Sequence, residues 1–348
     1  MKSKFLNKNY KESILLFGHK GLIGSAILKQ LKFRGYKKVD TIEKKKVNLL
    51  NISKLEKFFK KKKPKNIIIA AARVGGIYAN NTYPFNFLYE NLVLQNNIIS
   101  MAIKYKCKKL IFLGSSCIYP KLWKKPFQEK DLTLSNLEKT NEYYAIAKIS
   151  GLKLCHAFNK QFNRNLPKFI TVIPPNLFGE NDNYDVKNSH VLAALLRKFY
   201  IAKKNNSKNV KIWGSGKIRR EFLFSIDAAN IIIDLLELNE KKIIKQTKGK
   251  YSHINIGSGV DYKIATIAQI IKKISGFKGK ILYDKTYPDG VKRKLLNIQL
   301  LKKISPKSIN RKVNSRKKFE ENIEKIYKTL DSKEFKKFEK NNTFSLPI

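Results

Sequence analysis

The sequence predicts an α/β protein: a Rossmann-like, doubly wound parallel sheet with a smaller α/β C-terminal substrate lobe. Short apolar runs alternate with longer amphipathic segments from about residue 13 onward, the pattern of βαβ units. The first of these runs opens directly into a loop of spaced glycines. The chain has 348 residues and 43% hydrophobic content, enough for a sizeable core in one large or two modest domains.

The expected strands are Ile14–Phe17, Ile67–Ala71, Leu110–Leu113 and Phe169–Ile173. Between them, apolar residues recur every three or four positions over 22–34, 53–61, 86–104 and 142–164, which predicts helices. Past residue 175 the rhythm loosens, because Pro174-Pro175-Asn176, Gly214-Ser215-Gly216 and Gly257-Ser258-Gly259 interrupt shorter elements. The expected division is therefore a basic N-terminal extension over 1–12, a cofactor-binding domain over 13–175 to which later segments return, a mainly substrate-binding lobe over 176–310, and a lysine-rich helix and tail over 311–348.

The net charge is +47, which makes nucleic-acid binding a class to weigh. The lysines are spread along the chain, in Lys44–Lys46, Lys60–Lys63, Lys203–Lys204, Lys241–Lys250 and Lys302–Lys318, and the chain is also rich in Ile and Asn. Drift towards A/T-rich codons accounts for such a spread better than a selected patch, so nucleic acid is not the expected partner. Cys107, Cys117 and Cys155 have no metal-ligand spacing and cannot all pair with one another. Nothing at the N-terminus resembles a secretory signal, and no run approaches the roughly 18 apolar residues of a membrane span. A soluble, cytoplasmic protein is expected.

Ile14-Leu15-Leu16-Phe17 leads into Gly18-His19-Lys20-Gly21-Leu22-Ile23-Gly24. Glycines so spaced let the backbone turn sharply and approach a pyrophosphate, while the amides of the following helix face its charge. The residues after the second strand should choose between NAD and NADP. Asp40 and Glu43 favour a free ribose hydroxyl, but Lys44, Lys45 and Lys46 leave the local charge positive and favour a 2′-phosphate; a plain solvated charge run is the competing reading.

Tyr144 and Lys148 are four residues apart, so on a helix they share one face. A lysine beside a tyrosine lowers the phenol's pKa and reaches a cofactor ribose, so the phenol can exchange a proton with a carbonyl oxygen while hydride moves. Ser115, just past the strand Leu110–Leu113, would add a hydroxyl to the same oxygen.

Several strings of residues resemble the GDP-L-fucose synthase family of short-chain dehydrogenases: Ala70-Ala71-Ala72-Arg73-Val74-Gly75-Gly76-Ile77, Ala79-Asn80-Asn81-Thr82-Tyr83-Pro84, and Phe112-Leu113-Gly114-Ser115-Ser116-Cys117-Ile118-Tyr119-Pro120. So do Tyr144 to Lys148, Asn188-Ser189-His190-Val191, Trp213-Gly214-Ser215-Gly216 and Pro288-Asp289-Gly290, and the likeness runs from about residue 14 to 300. The resemblance implies conversion of GDP-4-dehydro-6-deoxy-D-mannose to GDP-L-fucose, with inversion at C3 and C5 before NADPH reduces the C4 ketone. It implies Cys117 and His190 as the acid/base pair, in an order the sequence leaves open, beside Ser115, Tyr144 and Lys148. It also implies NADP(H) contacts from Leu113, Gly114, Ser115, Ser116, Lys148, Pro174, Pro175, Asn176, Leu177 and His190, and GDP-sugar contacts from Lys198, Trp213, Arg220 and Asp289. Helices 86–104 and 142–164 are where such enzymes pair, so a homodimer is expected.

The chain departs from the family's pattern at Lys20, where arginine is usual, at Tyr143 for proline and at Pro175 for threonine, with a short insertion between Phe162 and Thr171. Lys20 keeps the charge without the bidentate geometry of arginine. Two rival readings remain: a related epimerase or dehydratase that keeps NAD and acts on another sugar, and a catalytically inactive relative that binds nucleic acid.

Overall fold

In a computed structural model of the chain, described for residues 12–43, 45–121, 125–163, 166–185, 189–287, 289–308 and 315–330, the first half alternates as the apolar runs predict. The order is β1 (Ile14–Phe17), α1 (Leu22–Phe33), β2 (Val39–Thr41), α2 (Ile52–Lys62), β3 (Asn66–Ile69), α3 (Ile77–Thr82), α4 (Pro84–Lys104), β4 (Lys109–Leu113), α5 (Glu142–Phe162) and β5 (Phe169–Ile173). The strands expected at 14–17, 110–113 and 169–173 and the helices expected at 22–34 and 53–61 lie within one residue of their expected bounds. The strand expected to reach Ala71 ends at Ile69, although Ala70 N–H still donates to Phe17 O at 3.0 Å. Helix α4 starts at Pro84, two residues earlier than its apolar period suggests, because proline suits the first helical turn.

The second half is less regular: β6 (Asn176–Phe178), α6 (Val191–Lys204), β7 (Asn209–Trp213), β8 (Arg219–Phe224), α7 (Ser225–Glu237), α8 (Glu240–Thr247), β9 (His253–Asn255), β10 (Asp261–Lys263), α9 (Ile264–Ser275), β11 (Lys280–Asp284), β12 (Arg293–Lys294), α10 (Gln299–Ile304) and α11 (Arg316–Thr329). Strands pair in the order β2-β1-β3-β4-β5-β9, all parallel. From β1 the chain runs out to β2 and then crosses back to β3 on the other side, which puts a topological switch at the carboxyl ends of β1 and β3.

Both faces of this sheet are buried. Along β1, Ile14 and Leu16 pack with Ala26, Ile27 and Leu31 of α1 and with Ile231 and Ile232 of α7, while Leu15 and Phe17 pack with Leu55 and Phe59 of α2 and Ile98 and Ile99 of α4. Side chains alternate across a strand, so a continuous apolar run serves two helical layers at once. The chain after residue 176 therefore contributes to both lobes: β9, α7 and α10 return to the sheet, whereas α6, α9 and α11 enclose a separate core around Phe199, Phe222, Ile267 and Phe319. None of the described helices is long and apolar enough to cross a membrane.

The Glu221 carboxylate on β8 holds the second lobe's irregular segments in place. It accepts from Leu296 N–H at 2.8 Å, Gly259 N–H at 2.7 Å and the Ser258 hydroxyl at 3.3 Å. Residues 295–297 also exchange hydrogen bonds with Phe127, at 2.9 and 2.8 Å, and so strap β12 to the segment beneath the sheet's edge.

Arg34, just past α1, clamps α7: its guanidinium donates to Asp234 at 2.7 Å and to the Asn230 carbonyl and side chain at 3.1 and 2.9 Å. The Arg34 side chain is 12% exposed, so the pair is largely shielded from water. Arg34→Ala leaves Asp234 and Glu237 without their cation and should lower stability by about 2–3 kcal/mol in chemical denaturation; a loss under about 0.5 kcal/mol would show that the clamp contributes nothing.

Candidate active site

The carboxyl ends of β1, β3, β4 and β5 lie at one edge of the sheet. At the first, Gly18 adopts φ +81°, and a Cβ there would stand 2.6 Å from Ala71 N at the end of β3. A Cβ on Gly24 would lie 1.9 Å from Gly18 O. Only glycine lets loop, strand and helix approach this closely. Gly21 caps α1 without any side-chain hydrogen bond, which leaves first-turn amides directed at the loop. His19 Nδ1 is buried with no hydrogen-bond partner, and burial followed by the Lys20 charge lowers that imidazole's pKa.

Beside this loop both acids are already engaged. Asp40 accepts from Lys62 at 2.5 Å, and Glu43 lies 3.3 Å from Lys20. These contacts are exposed and contribute little stability, but they set a cation against each of the two carboxylates beside the loop. Lys44, expected to contact the cofactor, lies outside the described residues.

At the end of β4, Leu113 and Gly114 lead into Ser115, whose hydroxyl accepts from Cys117 N–H at 3.3 Å and so caps the short helical turn Ser116–Ile118. Ser116 N–H in turn donates to Pro174 O at 3.1 Å, which ties this turn to the end of β5. Beyond it Pro175 is buried, and Asn176 and Leu177 form β6, which pairs with β8. The chain passes here from one lobe to the other.

Tyr144 and Lys148 project from the first turns of α5. The Lys148 ammonium donates to Leu113 O at 2.8 Å and lies 5.7 Å from the centre of the Tyr144 ring. Burial pushes the Tyr144 hydroxyl well above its ordinary range, with the Cys117 thiol adding to the effect, and pulls Lys148 down to about 8. Cys117 is buried in the same place, and burial raises its thiol pKa against the opposing influence of Lys294, Ser115 and Lys148. Serine, phenol, ammonium and thiol are thus gathered at one point.

His190 stands apart from this cluster. It is the residue before α6, in extended backbone, and no described contact joins it to Cys117 or Tyr144. The side chain is open to solvent, yet surrounding protein lowers its pKa by desolvation, as expected of a group facing a cleft.

The expected sugar-binding residues form two pairs in the second lobe. Lys198 donates to Lys211 O at 3.0 Å, and its ammonium lies 4.8 Å from the Trp213 ring, which stacks on Tyr287 at 4.4 Å. Asp289 accepts from Ser215 N–H at 2.9 Å and from its hydroxyl at 2.6 Å, and these bonds hold the carboxyl below its usual range. Arg220 donates to Val291 O at 2.6 Å; burial pulls it down to about 10, opposed by Glu138 and Asp289. The sequence reading missed Lys294, Glu138 and Tyr287. Only the nearness of Lys294 and Tyr287 to the Pro288-Asp289-Gly290 string marked that region.

A glycine-lined nucleotide loop at a switch point, with a tyrosine–lysine pair and a serine at the neighbouring strand ends, defines a nicotinamide-dependent enzyme acting on a carbonyl or carbinol carbon. The chain belongs to the NAD dependent epimerase/dehydratase family, whose profile matches residues 14–257. It is similar to the GDP-L-fucose synthase of Escherichia coli, 45% identical over 291 residues, spanning 84% of this chain and 90% of that one. Among solved structures it is similar to a GDP-6-OMe-4-keto-L-xylo-heptose reductase from Campylobacter jejuni, with TM-score 0.83, 33% identity and coverage of 92% and 99% of the two chains. A GDP-L-fucose synthetase from Naegleria fowleri bound to NADP gives TM-score 0.82 at 27% identity, covering 96% of each.

Lys148 carries its charge below about pH 8 and loses it above. Reduction through this pair should therefore fall as pH rises through about 8, and Lys148→Arg, which stays charged, should shift that fall upward by about a unit or more. A rate of NADPH oxidation that is flat across this range would remove the ammonium from the step.

Proposed function

We propose that this chain converts GDP-4-dehydro-6-deoxy-D-mannose to GDP-L-fucose as a cytoplasmic 3,5-epimerase and NADPH-dependent 4-reductase. One observation carries the reading: the buried Cys117 thiol lies beside Tyr144, Lys148 and Ser115. Simple carbonyl reduction has no use for a thiol. Moving protons at the carbons flanking the ketone does, since those hydrogens are acidic and the thiol lies among cations, Lys148 and Lys294, that favour its thiolate against the push of burial.

The glycine loop fits a dinucleotide: it offers uncapped helix amides, a backbone with no room for side chains, and the unpartnered His19 Nδ1. Bound there, NADPH supplies hydride to the C4 ketone. Lys20 paired with Glu43, and Lys62 with Asp40, support a phosphate-bearing ribose. The residues assigned to the cofactor are Gly18 to Gly24, Lys44, Leu113 to Ser116, Lys148, Pro174 to Leu177 and His190. Those assigned to the GDP-sugar are Lys198, Trp213, Arg220 and Asp289.

Tyr144 remains protonated in its buried setting, which suits it to deliver a proton to the ketone oxygen as the carbinol forms. Ser115 donates to the same oxygen, and both hydroxyls stabilise the enolate formed when a neighbouring carbon loses its proton. Cys117 and His190 exchange protons at C3 and C5. The Campylobacter jejuni reductase acts on a GDP-heptose, so reduction without epimerisation of another GDP-sugar is the alternative outcome.

Incubating the chain with GDP-4-dehydro-6-deoxymannose and NADPH should yield GDP-L-fucose. Cys117→Ser should slow deuterium exchange at C3 and C5 by about a hundredfold or more while direct C4 reduction persists, and Tyr144→Phe should suppress reduction. Normal exchange in the Cys117 variant would remove the thiol from the mechanism.

A homodimer paired through α4 and α5 belongs to the same proposal. These adjacent helices leave Phe85 69%, Tyr89 50%, Ile146 38% and Leu154 36% exposed, an apolar area that a second copy would cover. Sedimentation should show a dimer that Ile146→Glu combined with Leu154→Glu converts to monomer; an unchanged sedimentation coefficient would place the interface elsewhere.

A further inference from the structure

Lys294 lies on β12, opposite Arg220 of β8 in parallel register. Two residues on, Leu296 is fixed by Glu221, and its side chain packs with Cys117, Tyr119, Ile173 and the half-buried Tyr144. Residues two apart on an extended strand share a face, so Lys294 is directed at the cluster that houses Cys117. Lys294 is half-buried, and desolvation lowers the pKa of its ammonium.

The charged groups facing Lys294 are Cys117 from the turn after β4, Arg220 from β8 and Glu138 from the segment before α5. Those facing Cys117 are Lys294, Ser115 and, from α5, Lys148 and Tyr144. Lys294 makes no hydrogen bond or ion pair with the described residues. The half-buried Lys294 ammonium sits near a guanidinium with no bonded carboxylate among the described residues, an unfavourable placement of like charges that an apolar residue would avoid. Lys148 is already committed to Leu113 O. Lys294 is the stronger influence of the two on the thiol, opposing the upward push of burial.

We propose that Lys294 is a positioning cation for Cys117, its ammonium stabilising the thiolate so that the sulfur can take a proton from the carbon beside the substrate ketone. In the forward step the carbon–hydrogen bond breaks, the S–H bond forms and the electron pair moves to the ketone oxygen as an enolate. The negative charge passes from sulfur to that oxygen, and no oxidant or reductant is consumed. The inference rests on the role proposed for Cys117 above.

The test reads the thiol without any sugar. Iodoacetamide alkylation of the intact chain is followed at the Cys117 peptide by mass spectrometry as a function of pH. Cys107 and Cys155, both pushed up to about 12 by burial, serve as unreactive internal controls. Lys294→Met should move the inflection of Cys117 upward by about one pH unit or more and slow alkylation near neutral pH by about tenfold, whereas Lys294→Arg should restore the original curve. Retained NADPH binding verifies the fold, and Lys294→Gln replaces the methionine variant should that one fail to fold. A neutral variant whose curve superimposes on the unmodified chain's overturns the proposal, as does an arginine variant no more reactive than the methionine one. Failure of the unmodified chain to turn over the GDP-sugar would sink the proposed reaction while leaving the alkylation result standing, so the two are told apart.

Discussion

The constraint on which the rest depends is that the central strands are parallel and buried on both faces. Every crossover must then return over a helix, and the ends of β1, β3, β4 and β5 reach the same edge. That edge receives Gly18 from the first strand, Ala71 from the next, Ser115 and Cys117 from the third and Pro174 from the fourth. The close contact of Gly18 with Ala71 and Gly24 sets how near the loop sits to the sheet. A side chain at either glycine would lift α1 from its place, and the spacing between the nucleotide loop and the tyrosine on α5 would change with it.

Burial then decides the protonation of everything placed there. The low-dielectric edge pushes the pKa of Tyr144 and Cys117 up, with Lys294 and Lys148 opposing the push on the thiol, and makes Lys148 and Lys294 less ready to hold charge. Glu221 follows the same rule, since burial raises it to about 7, but three donors converge on its carboxyl group and fix β12 and the 257–259 loop. Its role is structural because its hydrogen bonds are complete. Among the described residues, Lys294 and Arg220 meet one facing acid, Glu138, outside the Asp289 loop, and Lys148 meets none. Anionic groups arriving from a cofactor and a nucleotide diphosphate would relieve that imbalance.

Much of this was legible in the sequence, for physical reasons that differ from part to part. Ile14–Phe17 and Phe169–Ile173 were readable because strands buried on both sides carry unbroken apolar runs. The glycine loop and Tyr144 with Lys148 were readable because their geometry is local, set within one turn of chain. The return of β9 and α7 to the sheet had no such local mark, since it depends on pairing between Ile173 and Asn255 and on packing against α1. The partnership of Lys294 with Cys117 was hidden for the same reason. It passes through the β8–β12 register and through Leu296, and no spacing along the chain records either.

The +47 charge makes that last case sharper. Lysines in the runs at 60–63, 203–204 and 241–242 are exposed, where water carries the charge and a substitution towards lysine costs little stability. Compositional drift can therefore add lysines there freely. It cannot do so in the interior, where an ammonium must find acceptors or destabilise the fold. Lys109 meets that requirement with the carbonyls of Leu236 and Leu238 and with Glu240. Lys148 meets it in part through Leu113 O. Lys294, half-buried, makes no hydrogen bond or ion pair with the described residues, so it resembles neither the fully exposed lysines nor the paired interior ones. In a chain where lysine is the commonest noise, what separates a working lysine from the background is the group it faces, and Lys294 faces a thiol.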